Sequence, residues 1–213
     1  MIKVAEDYYP QGKHFNQPWE FWVIDDFLPK EMYNELLYIK DNGSYELVDM
    51  SNGIRVSERD AIASKHHVRL RRVMAKYKTL YNQLKEECKT SLSSLFNFQQ
   101  FVNWNNETNF VFDLVRCEPK YGYQRHTDHW AKLISIVVYL HPENANGTIL
   151  IGPDKEEYDV IWKPNRAVIF KTSQEKIHMY KNTTDTYRYS LNVYAVDGNW
   201  EFKVRVPVEG LDK

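Results

Sequence analysis

His126-Thr127-Asp128, followed by His178 and then Arg188, are the residues of this chain whose types and spacing could do chemistry. Two imidazoles and one carboxylate can take one face of a metal ion and leave the opposite positions open. That is the donor set with which non-haem Fe(II) activates oxygen. Arg188 would add a fixed cation able to grip a carboxylate with two parallel hydrogen bonds, so a dicarboxylate co-substrate could sit beside the metal. Seven His and thirteen Asp in 213 residues make one His-x-Asp a common accident, and the tripeptide alone carries little. The order His-x-Asp, a long β-rich interval, His, then Arg ten positions on inside an apolar strand is far rarer. Zn²⁺ is the competing metal, since it also takes His and carboxylate ligands. An ion pair with Asp185 is the competing use of Arg188. His129 lies three residues past His126, which on a strand points it to the other side, and it is read as a rim residue or a neighbour of the ligands.

Such residues need elements to bring them together. On one strand, His126 and Asp128 would point the same way, one pleat repeat apart. His178 follows the Gln174-Glu175-Lys176 turn on a short strand and is expected to arrive from across a sandwich. Arg188 is expected on the next strand, beside it as in a hairpin. From Asn109 onward, residues 110–117, 133–140, 148–151, 158–162, 166–170, 177–180, 187–196 and 200–206 are β-branched or aromatic-rich. Asn146-Gly147, Gly152-Pro153, Pro164-Asn165 and Asp197-Gly198 punctuate them. The first half differs. Residues 21–27 read as a strand leading into Pro29, which suits a helix start. The spacing predicts a helix over 29–41, stopping near Gly43, with Met32, Leu36 and Ile39 inward. Leu70, Val73, Tyr77, Leu80, Leu84 and Cys88 predict a second helix over 64–89. Helices followed by many short strands predict an α+β fold with a sandwich or jelly roll, and βαβ units are lacking. One domain spanning 1–213 is expected, with 1–108 as a helical support region and 109–206 as the catalytic core.

Composition fits that expectation. Hydrophobic residues are 43% and charged residues 27%, ordinary for a globular protein. Fifteen Tyr, ten Phe and six Trp suit sheets whose faces are covered by rings. A formal net charge of −1 gives no global field toward nucleic acid or membrane. Two cysteines, Cys88 and Cys117, are too few for a disulfide framework and favour a reducing compartment. Residues 1–10 carry Glu6 and Asp7 without an apolar stretch, so no signal peptide is expected. No apolar run reaches membrane-spanning length. A cytoplasmic protein is the expectation.

Residues 116–197 resemble the Fe(II)/2-oxoglutarate-dependent dioxygenases, and within them the prolyl 4-hydroxylase-like branch. The resemblance rests on Tyr121-Gly122-Tyr123-Gln124-Arg125-His126-Thr127-Asp128, Ser135-Ile136-Val137-Val138-Tyr139-Leu140 and Asn146-Gly147-Thr148-Ile149-Leu150. Phe170, His178 and Arg188-Tyr189-Ser190-Leu191-Asn192-Val193-Tyr194 complete it. Val23-Ile24-Asp25-Asp26-Phe27-Leu28-Pro29 is a looser match in the N-terminal half. The resemblance implies a double-stranded β-helix (jelly-roll, cupin-like) core with supporting N-terminal helices. It implies Fe(II) held by His126, Asp128 and His178, with 2-oxoglutarate and O₂ as co-substrates and ascorbate as a reductant. It implies Arg188, with Tyr139 and Asn192, on 2-oxoglutarate, and Tyr123 and Tyr194 along the substrate opening. Asp128 implies hydroxylation, since halogenating relatives lack that carboxylate. Two departures stand out: Met179-Tyr180 are bulkier than the family often shows, and Gly147 stands where two glycines are frequent.

The implied reaction hydroxylates a protein or peptide side chain. A nucleic-acid or small-molecule oxygenase is the alternative, because Lys65, Arg69, Arg71, Arg72, Lys76 and Lys78 fall in a stretch with no acid. A non-catalytic β-sandwich interaction protein is a third reading, and it requires an absence of 2-oxoglutarate turnover. Neither an oligomeric state nor a role for the two thiols is written in the sequence.

Overall fold

The computed structural model describes residues 1–42, 67–69, 78–95 and 109–196. Among these residues, twelve strands and two helices follow one another. β1 is Ile2–Val4, β2 Lys13–Phe15, β3 Phe21–Ile24, α1 Lys30–Asn42, β4 His67–Arg69 and α2 Lys78–Leu95. Then come β5 Asn109–Cys117, β6 Gly122–His126, β7 Lys132–His141, β8 Thr148–Ile151, β9 Glu157–Val160, β10 Ala167–Lys171, β11 His178–Lys181 and β12 Arg188–Val196. The strands form two sheets, one of five in the order β1-β9-β8-β11-β6 and one of seven in the order β2-β3-β10-β7-β12-β5-β4. Every pair is antiparallel except β1 with β9. This is the α+β, jelly-roll architecture that the strand-rich second half predicts.

The seven-stranded sheet is built by alternation. On β12, Tyr189, Leu191, Val193 and Ala195 join Ile134, Ile136, Val138 and Leu140 of β7 in the main apolar cluster. Leu84, Cys88 and Leu92 of α2, each four residues from the next and all fully buried, cap that same cluster. Leu36 of α1 is also fully buried there, and Met32, Tyr33 and Leu37 pack around it. Pro29 opens α1 by accepting the Tyr33 N–H at 3.0 Å. Tyr33 in turn donates its hydroxyl to the Leu140 carbonyl at 2.6 Å. With one face under the helices, the residues of opposite parity are left for the inside of the sandwich: Ser135 and Val137 of β7, and Arg188, Ser190, Asn192 and Tyr194 of β12.

The N-terminal stretch supplies strands as well as helices, because β1 joins the five-stranded sheet and β2 and β3 the seven-stranded one. The single helix expected over 64–89 is corrected. His67–Arg69 pairs with β5 as an edge strand, and the helix is Lys78–Leu95. The side-chain period was real from Leu84 onward, but three residues of strand carry too little pattern to oppose it. The end of α1 at Gly43, the residues Leu70, Val73 and Tyr77, and the strand expected over 200–206 lie outside the described residues. So do Lys65, Arg71, Arg72 and Lys76 of the basic stretch. No helix among the described residues is long and apolar enough to cross a membrane.

Candidate active site

His126 ends β6, and Thr127 to His129 leave the ladder before a turn closed by the Lys132 N–H on the His129 carbonyl at 2.9 Å. His126 and Asp128 are therefore not on one strand, as their spacing suggests, yet the strand end still delivers both to one place. A second expectation is also corrected. His178 does not cross the sandwich: β11 pairs directly with β6, with His178 opposite His126. The two rings stand 4.3 Å apart between centroids. Arg188 is the residue that comes from the other side, since β12 belongs to the opposing sheet. The loop between β11 and β12 changes sheets rather than closing a hairpin.

One donor atom from each of His126, Asp128 and His178 lies within 4.8 Å of the other two, and Asp128 Oδ2 is 3.7 Å from His178 Nε2. The imidazoles are oriented for a metal. His126 Nδ1 lies 2.9 Å from the Gln124 carbonyl and His178 Nδ1 3.1 Å from the Lys176 carbonyl. A carbonyl only accepts, so each Nδ1 carries the proton and each Nε2 keeps its lone pair for the cluster. Burial, with repulsion from His178, lowers His126 to about 3, and burial lowers His178 as well. Both rings are neutral at ordinary pH. Burial alone would raise Asp128, but the Lys132 ammonium and the neighbouring His178 and Ser135 outweigh it and hold the carboxylate well below its usual range. Two neutral imidazoles and one carboxylate suit a divalent ion.

A cavity of about 220 Å³ opens between the sheets, lined by this triad and by Arg188. It is smaller than the ~300–1,000 Å³ of drug-sized sites and on the scale of a small acid. Arg188 is 1% exposed. Its Nε donates to the Asn146 carbonyl at 3.1 Å and one terminal nitrogen reaches Ser190 Oγ at 3.5 Å. Among the described residues no carboxylate pairs with it, and Asp185 instead pairs with Lys120 at 3.1 Å. The guanidinium carbon lies 4.6 Å from the Tyr180 ring centroid, 4.9 Å from Trp162 and 5.7 Å from Tyr139. A buried cation enclosed by rings and lacking an acid fits an incoming carboxylate.

The other expected residues divide. Tyr123, Asn192 and Tyr194 line the cavity, with Tyr123 edge-on to His126 at 4.6 Å. Asn192 accepts from Ser190 Oγ at 3.1 Å and its amide donates to the Tyr194 hydroxyl at 3.4 Å. Tyr139 stands one layer behind, fully buried and stacked on Trp162 at 4.4 Å. Its hydroxyl accepts the Thr148 N–H at 2.7 Å. Gly147 allows that layer to close, because a Cβ there would lie 1.6 Å from the Val160 carbonyl oxygen. His129 is exposed at the cavity rim.

Lys132, Ser135, Tyr180 and Ser190 also line the cavity and were not foreseen. Strand parity would have found two of them: Ser190 lies between Arg188 and Asn192 in the period-two row, and Ser135 shares a face with Tyr139. Ser135 Oγ donates to Asp128 Oδ2 at 2.6 Å.

Residues 112–196 match the family model of the 2OG-Fe(II) oxygenase superfamily. Over those residues, which carry the triad and Arg188, the chain is similar to the 2OG-Fe(II) oxygenases. It is a dioxygenase that works with Fe(II), 2-oxoglutarate and O₂. Its fold is shared by a prolyl-4-hydroxylase of Pseudomonas putida, at 17% identity over 83% of this chain and 92% of that one, with a TM-score of 0.52. A prolyl hydroxylase of Trichoplax adhaerens, solved with a peptide fragment of the hypoxia inducible factor oxygen degradation domain, is similar at 14% identity. That likeness covers 84% of each chain, with a TM-score of 0.57. The viral collagen prolyl hydroxylase of Paramecium Bursaria Chlorella virus-1, in its 2OG complex, is similar at 13% identity over 83% of this chain and 95% of that one, with a TM-score of 0.52. Among curated protein sequences none matches the oxygenase.

Proposed function

We propose that this oxygenase hydroxylates a protein or peptide side chain in the manner of a prolyl hydroxylase, coupled to decarboxylation of 2-oxoglutarate to succinate and CO₂. The observation that carries the reading is the convergence of His126, Asp128 and His178 on a cavity whose far wall presents Arg188 without an acid partner among the described residues. The likeness to a prolyl hydroxylase solved with a peptide supports the substrate class.

His126, Asp128 and His178 would hold the iron, each imidazole through the Nε2 that its backbone-anchored Nδ1 leaves free. Bound there with 2-oxoglutarate and O₂, iron supplies the oxidative decarboxylation and the transfer of one oxygen atom to a substrate C–H bond. Arg188 would take the C5 carboxylate with parallel N–H donors, while Tyr180 and Trp162 keep water from it and so strengthen the pair. Tyr139 fixes the strand that carries Thr148 beside that carboxylate, and Asn192 continues the polar row. Tyr123 and Tyr194 flank the opening through which a side chain would enter. Ascorbate would serve as reductant when turnover is uncoupled.

The test is direct. Mixing the protein with Fe(II) and 2-oxoglutarate under anaerobic conditions should give the visible charge-transfer band of the chelate, and Asp128→Ala or His178→Ala should abolish it. A wild-type protein with no band, or variants with an unchanged band, would refute the ligand assignment. Adding O₂ and a peptide library should give a product heavier by one oxygen atom. Turnover of 2-oxoglutarate with no peptide modified would refute the substrate class alone.

A further inference from the structure

The cavity contains a second cation that the reaction as drawn does not use. Lys132 opens β7, is 15% exposed in its side chain, and puts its Nζ on Asp128 Oδ1. The same Nζ lies 3.5 Å from the Tyr194 ring centroid. Ser135 meanwhile holds Asp128 Oδ2 at 2.6 Å. Both oxygens of the carboxylate are thus engaged by the chain itself.

A buried carboxylate with no partner is costly, so Lys132 offsets the charge of Asp128 whenever no metal does. A divalent ion on Asp128 must then share that carboxylate with an ammonium, and the two cations repel at short range. We propose that Lys132 is a positioning residue that acts as an internal counter-ion to Asp128, holding the carboxylate toward the imidazoles and weakening the site's grip on a divalent metal. The inference rests on the reading of His126, Asp128 and His178 as metal ligands. Lysine suits the task because its charge is a compact point on a flexible stem, able to yield the carboxylate, whereas an arginine fork would clamp it bidentately. The Tyr194 face gives the displaced ammonium a second seat.

The experiment titrates the metal-free full-length protein with Mn(II) alone, followed by calorimetry. Lys132→Met removes the ammonium and keeps the apolar stem over Tyr194. It should bind Mn(II) about tenfold tighter than wild type, and its melting temperature should rise more on Mn(II) addition than that of wild type. Lys132→Arg keeps the charge and should bind no more tightly than wild type. If Lys132→Met does not fold, Lys132→Gln carries the same comparison, with the same tightening expected. Equal or weaker Mn(II) binding by the neutral variants would overturn the inference, since a residue that only braces the fold or the ligand could not strengthen metal binding when removed. A different result marks failure of the underlying reading: wild type that binds no Mn(II), or Asp128→Ala that binds as well as wild type.

Discussion

Arg166 and Arg188 are both shut off from solvent, at 0% and 1% exposure, yet their guanidiniums meet different surroundings. Arg166 spends all five of its N–H donors. Nε and one terminal nitrogen grip Asp25 at 2.6 and 2.8 Å, and the rest reach the carbonyls of Ala5, Asp7 and Ile161. Those partners come from the N-terminal segment, the end of β3 and the end of β9, so one side chain ties three distant stretches together. Arg188 makes two hydrogen bonds among the described residues, one of them long at 3.5 Å, and three aromatic rings lie against its guanidinium. A saturated guanidinium belongs to the fold. An unsaturated one facing a cavity keeps donors for an anionic ligand.

The largest effect that tests this contrast is on stability. Arg166→Met leaves Asp25 as a buried, uncompensated charge, and should cost about 3–5 kcal/mol in chemical denaturation. Adding Asp25→Leu to it should recover part of that loss, because no lone charge remains. Arg188→Met should behave oppositely, leaving the ligand-free protein within about 1 kcal/mol of wild type. It should instead weaken 2-oxoglutarate binding about a hundredfold, or about 3 kcal/mol, read by calorimetry on the Mn(II)-loaded protein. Equal destabilisation by the two substitutions would break the comparison, since Arg188 would then be a structural residue like Arg166.

The sequence made one wall of this cavity legible and hid the other. The row Arg188, Asn192 and Tyr194 follows from period-two parity within a single strand, a local property. The pairing of β11 with β6 does not, because which strands lie side by side is decided by contacts fifty residues apart. The interval of ten between His178 and Arg188 therefore read as a hairpin, although Asn182 pins the intervening loop to Tyr121 and Glu118 while the chain changes sheets. β1 and β2, three residues each, are too short to display a period. Lys132 was hidden for another reason: the turn at His129 folds it back onto Asp128, and no pattern in residue types announces that turn.

The triad offers a smaller effect, which appears with pH. His126 is held at about 3 and His178 below its ordinary value, so the unfolded chain takes up protons first as pH falls through about 6.5. Their stabilising contribution is complete above that pH and is lost as pH drops toward about 3. Asp128, depressed below its unfolded value, stays ionised in both states between pH 7 and pH 5 and loses its contribution only below about 4. The metal-free protein should therefore lose about 2 kcal/mol of stability or more between pH 7 and pH 5, measured as urea midpoints. His126→Gln should flatten that slope; a slope that persists unchanged would mean another group titrates.

The smallest expected effect lies within the Arg188 wall itself. Ser190 Oγ accepts from Arg188 at 3.5 Å and donates to Asn192 at 3.1 Å, a relay that could aim the guanidinium or simply fill space. Ser190→Ala removes the relay and keeps the backbone pairing of β12. If the relay aims Arg188, 2-oxoglutarate affinity should fall about twofold to fivefold, within the ~0.5–1 kcal/mol of a single neutral hydrogen bond, while Mn(II) affinity and melting temperature hold. Unchanged 2-oxoglutarate affinity would mean that the stacked rings of Tyr180 and Trp162 position the guanidinium without help. Arg166, aimed by five hydrogen bonds, and Arg188, aimed by its aromatic walls, would then differ in how they are held as well as in what they hold.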